Sequence, residues 1–163
     1  MLTLTPALVD GLLAHARETH PIEACGILAG PAGSDRPARL IRMVNALSSE
    51  LGYQFDAIDQ LAAYRQMDAR GEDPIVLYHS HTGSPAIPSV TDGRFALDLD
   101  ARYLIVSTAD PDRPEIRCWR RTPASLSYGG WTEDQVAVED PDARRQWPDT
   151  AAYLAAPQPH SKA

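Results

Sequence analysis

Apolar residues in the first part of the chain recur at the spacing of one helical face. Leu8, Val9, Leu12, Leu13 and Ala16 fall three or four positions apart and line one side of a helix that packs on a core. Thr5 supplies an N-cap oxygen, Pro6 suits the first helical position, and His20-Pro21 ends the helix, because the residue before a proline is steered out of helical backbone. His15 and His20 have no partner at ligand spacing and are expected at the surface. Cys25-Gly26-Ile27-Leu28-Ala29 then reads as a short strand, closed by Gly30-Pro31 and a polar loop through Arg36-Pro37. Further strands are expected at Arg39 to Asn45 and around Tyr53 to Phe55. Asp56 caps a second helix, whose Ile58, Leu61, Ala62 and Met67 keep helical spacing and whose charges face solvent.

Gly71-Glu72-Asp73-Pro74 breaks that helix and launches an apolar run, Ile75-Val76-Leu77-Tyr78, with the pattern of a buried strand. The loop from Thr82 to Pro88 carries one glycine and two prolines, which stiffen it. Ser89 then begins a helix expected to run to about Leu99. Tyr103 to Ser107 reads as a buried strand and Glu115 to Arg120 as its hairpin partner across Asp110-Pro111-Asp112. Tyr128-Gly129-Gly130-Trp131 signals one more turn before a final strand near Gln135 to Val138. Alternating helices and strands with hairpins among them give an α/β or α+β three-layer domain with a mixed sheet over residues 1–138. From Glu139 the composition turns to proline- and alanine-rich sequence, so residues 139–163 are expected to form a weakly ordered tail with a short helix at Thr150 to Ala155. His160 lies in that tail, away from the site.

Composition narrows the class of protein. At 163 residues the chain is most simply one domain, long enough to bury a substantial core. A formal charge of −7 and a pI near 5.1 weigh against nucleic acid or an anionic membrane as partner, since either selects a basic face. Two cysteines, Cys25 and Cys118, make no disulfide framework, and no apolar run is long enough to span a membrane. Asp10 interrupts the N-terminal apolar pattern and no basic start precedes it, so a secretory signal is not expected. A reducing cytoplasm is the expected location.

The chemistry concentrates between Ile75 and Asp92. His79 and His81 end the buried strand at positions i and i+2, which point to one face, so both imidazoles reach one ion. Asp92 follows eleven residues after His81, with Ser89 three before it. Two imidazoles and one carboxylate suit zinc and leave a fourth tetrahedral position for water, as catalytic zinc sites do. Taken locally, Ser89-x-x-Asp92 reads first as a capping box. The two readings are compatible, because a helix start holds a carboxylate and a hydroxyl rigidly.

His79-x-His81, seven residues, Ser89, two residues, Asp92 resembles the signature of the JAMM (MPN+) metallopeptidases without gap or substitution. HPIEACGILAGPAGSDRP, YHSHT, PSVTD and LIVSTADPDRPEIR look closer still to a bacterial branch whose Mec-type members release cysteine from the C terminus of a small ubiquitin-like sulfur-carrier protein. The resemblance covers roughly residues 5 to 121. It implies a cytidine-deaminase-like three-layer core, Zn2+ held by His79, His81 and Asp92, and Glu23 as the upstream acid that handles protons. Deaminase chemistry itself is disfavoured, because His-x-Glu and Pro-Cys-x-x-Cys are both absent. Ser89 is then a donor to the developing oxyanion, and the reaction is amide hydrolysis. The implied substrate is a carrier protein with an extended Gly-Gly tail in a narrow groove, where glycine lets the backbone approach closely. Three alternatives stand beside release of cysteine. One is removal of a ubiquitin-like modifier from lysine, for which a chain this short leaves little room to clasp a second modifier. Another is a non-catalytic interaction scaffold, and the last a thiol enzyme built on Cys25. Edge strands would allow a homodimer.

Overall fold

The computed structural model describes residues 1–96, 100–122 and 130–139. Its elements are β1 (Leu2–Leu4), α1 (Pro6–Thr19), β2 (Cys25–Pro31), β3 (Arg39–Met43), α2 (Ala57–Arg70), β4 (Glu72–His81), α3 (Val90–Phe95), β5 (Arg102–Ser107), β6 (Glu115–Arg121), β7 (Trp131–Asp134) and β8 (Val136–Val138). Six strands form one mixed sheet in the order β3-β2-β4-β5-β6-β7. Every neighbouring pair is antiparallel except β4 and β5, which run parallel. A parallel pair needs a crossover connection, and the segment from Thr82 to Ala101, with α3 in it, spans that link.

Strand alternation sorts side chains onto two faces. Val76 and Tyr78 of β4, with Leu104 and Val106 of β5, join the apolar stripe of α1, β1 and β8 in one core. Leu77 faces the other way, in a cluster with Ile27 and Ala29 of β2 and Met67 of α2. Helices therefore cover both faces, the three-layer arrangement expected from the sequence. Leu8, Val9, Leu12, Leu13 and Ala16 are all buried as the periodicity required. Burying each large side chain stabilises the domain by about 1.5–3 kcal/mol.

Gly26 lets the layers close on one another. A Cβ there would lie 2.3 Å from the Ile41 carbonyl oxygen and 2.5 Å from the Tyr78 ring. Tyr78 is buried in turn, its hydroxyl 2.8 Å from His15 Nδ1. His15, expected at the surface, is thus part of the core, because its place on α1 sits over β4 and Tyr78 supplies a polar partner. His20 is exposed.

Other expectations need correction. The second helix buries Ala63 and Met67, while Ile58 and Leu61 are 79% and 53% exposed and Ala62 faces solvent. Met67 is buried as expected, and Ala63, one turn before it, completes the buried face, while Ile58, Leu61 and Ala62 lie off that face. Tyr53 to Phe55 is not a strand but one isolated bridge from Phe55 to Asn45. Asn45 lies beyond β3, buried, and its side chain bonds the Glu23 and Gly52 carbonyls and the Leu47 and Gln54 amides, organising the connection instead. Two strands escaped the sequence pattern. β1 is three residues long and pairs in parallel with β8, forming a separate two-stranded sheet, and β7 begins at Trp131, where a turn was expected. α3 ends at Phe95 with Ala96 as C-cap. The expected stretch to Leu99, the turn residues Tyr128 and Gly129, and the tail from residue 140 with its helix at Thr150 to Ala155 lie outside the described residues. Among the described residues no helix is long and apolar enough to cross a membrane.

Candidate metal centre

β4 delivers two imidazoles to the carboxyl end of the sheet. His79 and His81 share a face by the two-residue period, with 2% and 4% of their surface exposed. His79 pairs with Cys25 of antiparallel β2 on one side and Ile105 of parallel β5 on the other. Ligand sites in open α/β sheets favour the carboxyl ends of strands.

Asp92 arrives from the start of α3. Ser89 is the N-cap, its hydroxyl accepting the Asp92 amide at 3.1 Å while an Asp92 oxygen accepts the Ser89 amide at 2.6 Å. Asp92 therefore belongs both to the capping box and to the ligand set. Asp92 Oδ1 lies 3.1 Å from His79 Nε2 and Oδ2 3.4 Å from His81 Nε2, and the two ring nitrogens are 3.2 Å apart. Zinc bonds of about 2.0–2.1 Å meeting at tetrahedral angles separate ligand atoms by about 3.3 Å, so this donor set fits that ion. Among the described residues, these three form the group of donors that can hold one metal ion.

Outer contacts orient the ligands. His81 Nδ1 donates to the Pro85 carbonyl at 2.8 Å, which leaves Nε2 as the lone-pair nitrogen facing the cluster. Tyr53 stacks on the His79 ring at 4.6 Å between centroids. The loop is pinned where Trp119 Nε1 donates to the Ala86 carbonyl at 3.0 Å and Ser107 Oγ to the Ser84 carbonyl at 2.6 Å. Sequence reasoning missed Tyr53 and the Pro85 carbonyl as site elements, since neither stands in a motif and each acts through contacts made only on folding.

Glu23 reaches the cluster by strand pairing. It lies two residues before β2, and the Ala24 amide donates to Ser80 Oγ at 2.8 Å while the Ser80 amide donates to the Ala24 carbonyl at 2.9 Å. Antiparallel register thus carries Glu23 to the mouth of a cavity of about 260 Å3 shared with His81, Ser89 and Asp92, and walled further by Glu50 and Leu51. Glu23 is 4% exposed, and its Oε2 is buried without a hydrogen-bond partner.

Electrostatics divide the roles. Burial raises the Glu23 carboxyl from its ordinary 4.5 to about 7, with His81 opposing and Asp92 reinforcing. Burial opposes ionisation of Asp92 too, but hydrogen bonds to both histidines prevail and hold it well below the usual carboxylate range. Burial lowers the proton affinity of His79. At His81 burial acts the same way but is outweighed by Asp92 and the Pro85 carbonyl, so its pKa is raised. Cys25 lies buried in a cluster with Met43 and Ala63, its thiol pushed up to about 12 by burial, so it offers no thiolate nucleophile.

Comparison with known proteins gives the family and the fold. Residues 5–122 match the family described as prokaryotic homologs of the JAB domain. The CysO-cysteine peptidase of Mycobacterium tuberculosis (strain H37Rv) is 47% identical over 138 residues, 85% of this chain and 91% of that protein. A desampylase of Haloferax volcanii is 32% identical over 147 residues, 85% of this chain and 96% of that protein. Among solved structures, a protein of Desulfitobacterium hafniense superposes with TM-score 0.76 at 32% identity, covering 86% of this chain and 94% of that one. A JAB1/MPN domain protein of Archaeoglobus fulgidus shares the fold at TM-score 0.54 and 19% identity, covering 85% of this chain and 97% of that one. The chain belongs to the prokaryotic branch of the JAB (JAMM/MPN) domain family.

Proposed function

We propose that this chain is a zinc-dependent amide hydrolase that cleaves after the C-terminal Gly-Gly of a small ubiquitin-like sulfur-carrier protein and releases cysteine. The observation that carries the reading is the convergence of three buried donors, His79, His81 and Asp92, with the unpartnered carboxyl of Glu23. Likeness to the CysO-cysteine peptidase over nine-tenths of its length supports the substrate class. A protein-sized substrate also suits the exposed apolar Leu51, which lines the cleft, and the exposed Ile58 and Leu61 of α2. Two unpaired, buried cysteines fit a reducing cytoplasm.

His79, His81 and Asp92 would hold the ion, which when bound supplies Lewis acidity and lowers the pKa of water from about 15.7 toward about 7. Glu23 takes the proton of the attacking water and passes it to the leaving amine; a carboxyl whose proton affinity is raised by burial serves both halves of that transfer. Ser89 Oγ already accepts the Asp92 amide through a lone pair, so its hydrogen remains to be donated to the developing oxyanion. His81 is kept in one tautomer by Pro85.

The test is mass-spectrometric detection of cysteine released from a carrier protein ending in Gly-Gly-Cys. Zinc-loaded wild type should cleave it, whereas chelator-treated enzyme and Glu23→Gln should not. Failure of the zinc-loaded enzyme would overturn the reading. Removal of a ubiquitin-like modifier from lysine, the second reading, draws on the likeness to the desampylase, and cleavage of a lysine-linked conjugate alone would establish it.

A further inference from the structure

A second cavity, of about 430 Å3, adjoins the metal cleft. Arg17 and His20 from the end of α1 line it, with Thr82 beyond β4 and Thr108, Pro111 and Pro114 from the connection between β5 and β6. Thr82 lines both cavities and is the wall between them. Their charges differ. The metal cleft carries three carboxylates, Glu23, Glu50 and Asp92, whereas no carboxylate lines the second cavity. Arg39, Arg42 and Arg117 are each tied to a glutamate, but the Arg17 guanidinium has no hydrogen bond or ion pair with any described residue. An unmatched cation beside a catalytic cleft, in a chain of net charge −7, is available to an anionic ligand.

We infer that this cavity receives the single residue released by the reaction and that Arg17 binds its free α-carboxylate. The inference rests on the amide-hydrolase reading above and supplies its selectivity. A residue leaving through its α-nitrogen has its carboxylate carbon only two bonds away, about 1.46 and 1.52 Å long. That carboxylate is held next to the scissile bond, where the charge of Glu50 repels it. A guanidinium across Thr82 counters the repulsion, and its planar fork matches a carboxylate bidentately. His20 adds an imidazole N–H donor to the same wall. A cavity of this size holds a residue or two, not a folded domain. A lysine side-chain conjugate, or a tail extended beyond cysteine, presents no carboxylate at that position, so the pocket separates a terminal cysteine adduct from both.

Three substrates test this with the zinc-loaded enzyme: a carrier ending in Gly-Gly-Cys as the free acid, the same carrier ending in the cysteine amide, and one extended as Gly-Gly-Cys-Gly. Wild type should favour the acid over the amide and over the extended tail by at least about tenfold in kcat/KM, the scale of one lost charge-assisted contact, mostly through KM. Arg17→Gln should bring the acid-to-amide ratio to within about threefold of unity, and Arg17→Lys should lie between the two. Each ratio is taken within one variant, so a general loss of folded protein cancels. An acid-to-amide ratio near one in wild type, or a wild-type ratio that persists in Arg17→Gln, overturns the assignment of Arg17 while leaving the hydrolase reading intact. Cleavage of none of the three by wild type overturns both.

Discussion

Glu23→Gln separates what catalysis asks of this position from what folding asks. In the fold the carboxyl titrates at about 7 instead of 4.5, mainly because it is desolvated. Below pH 4.5 the group is protonated in both folded and unfolded chains and costs no stability. Between 4.5 and about 7 the unfolded chain releases the proton and the folded one keeps it, so stability falls as pH rises; above 7 the penalty is constant. At about 1.4 kcal/mol per pH unit, that interval amounts to about 3 kcal/mol. Glutamine has the shape and polarity of the protonated acid but does not titrate. Urea unfolding of the chelated, metal-free proteins should therefore show wild type and variant alike near pH 4.5. The variant should be more stable by up to about 3 kcal/mol at pH 8.5. Loss of the proton carrier should lower kcat by about 10² to 10⁴. A stability difference that does not change with pH would refute the buried, ionisable carboxyl. Full activity in Glu23→Gln would refute its role in proton transfer.

Further outcomes follow from other contacts. His81→Ala should drop bound zinc from about one equivalent to a small fraction, read by elemental analysis after dialysis, because two donors no longer make a site. Gly26→Ala should destabilise by about 3 kcal/mol or more, since the added methyl meets backbone at Ile41 and the fixed Tyr78 ring; a loss under about 1 kcal/mol would show that the sheet relaxes. Burial lowers His15 to about 4, so the unfolded chain binds a proton near 6.5 and the folded chain does not. Stability should fall as pH drops from 6.5 to about 4, by up to about 3 kcal/mol, and His15→Gln should flatten that slope in denaturant titrations. Ser89→Ala should cost about 1 kcal/mol through the lost cap and lower kcat by about 10² to 10³, whereas Ser89→Thr should keep most of both.

Features encoded within one or two turns of chain were legible before folding was considered. The stripe from Leu8 to Ala16 and the caps at Thr5, Asp56 and Ser89 depend on neighbours a few residues apart, and all appear where the pattern put them. His79 and His81 share a face for the same reason, since the period of a strand is a local property. Contacts made over long separations were not legible. Nothing near Glu23 in sequence says that it lies beside His81; pairing of β2 with β4 does so, and that register is set by side chains fitting across the sheet. His15 became a core residue because Tyr78 lies beneath it. On α2 the expected Met67 is buried, but its companion is Ala63, while Ile58 and Leu61 stay exposed, because the face turned to the sheet is fixed by packing and not by spacing alone. β1 is too short to carry a signal and exists only as the partner of β8, the strand the pattern did mark near Gln135 to Val138. The sequence by itself determined the local elements and the donors that can meet on one strand and one helix start. Tertiary packing decided how the acid named by resemblance is brought to them and which helix face and which arginine stand around them, because those depend on distances the chain acquires only once the sheet has closed.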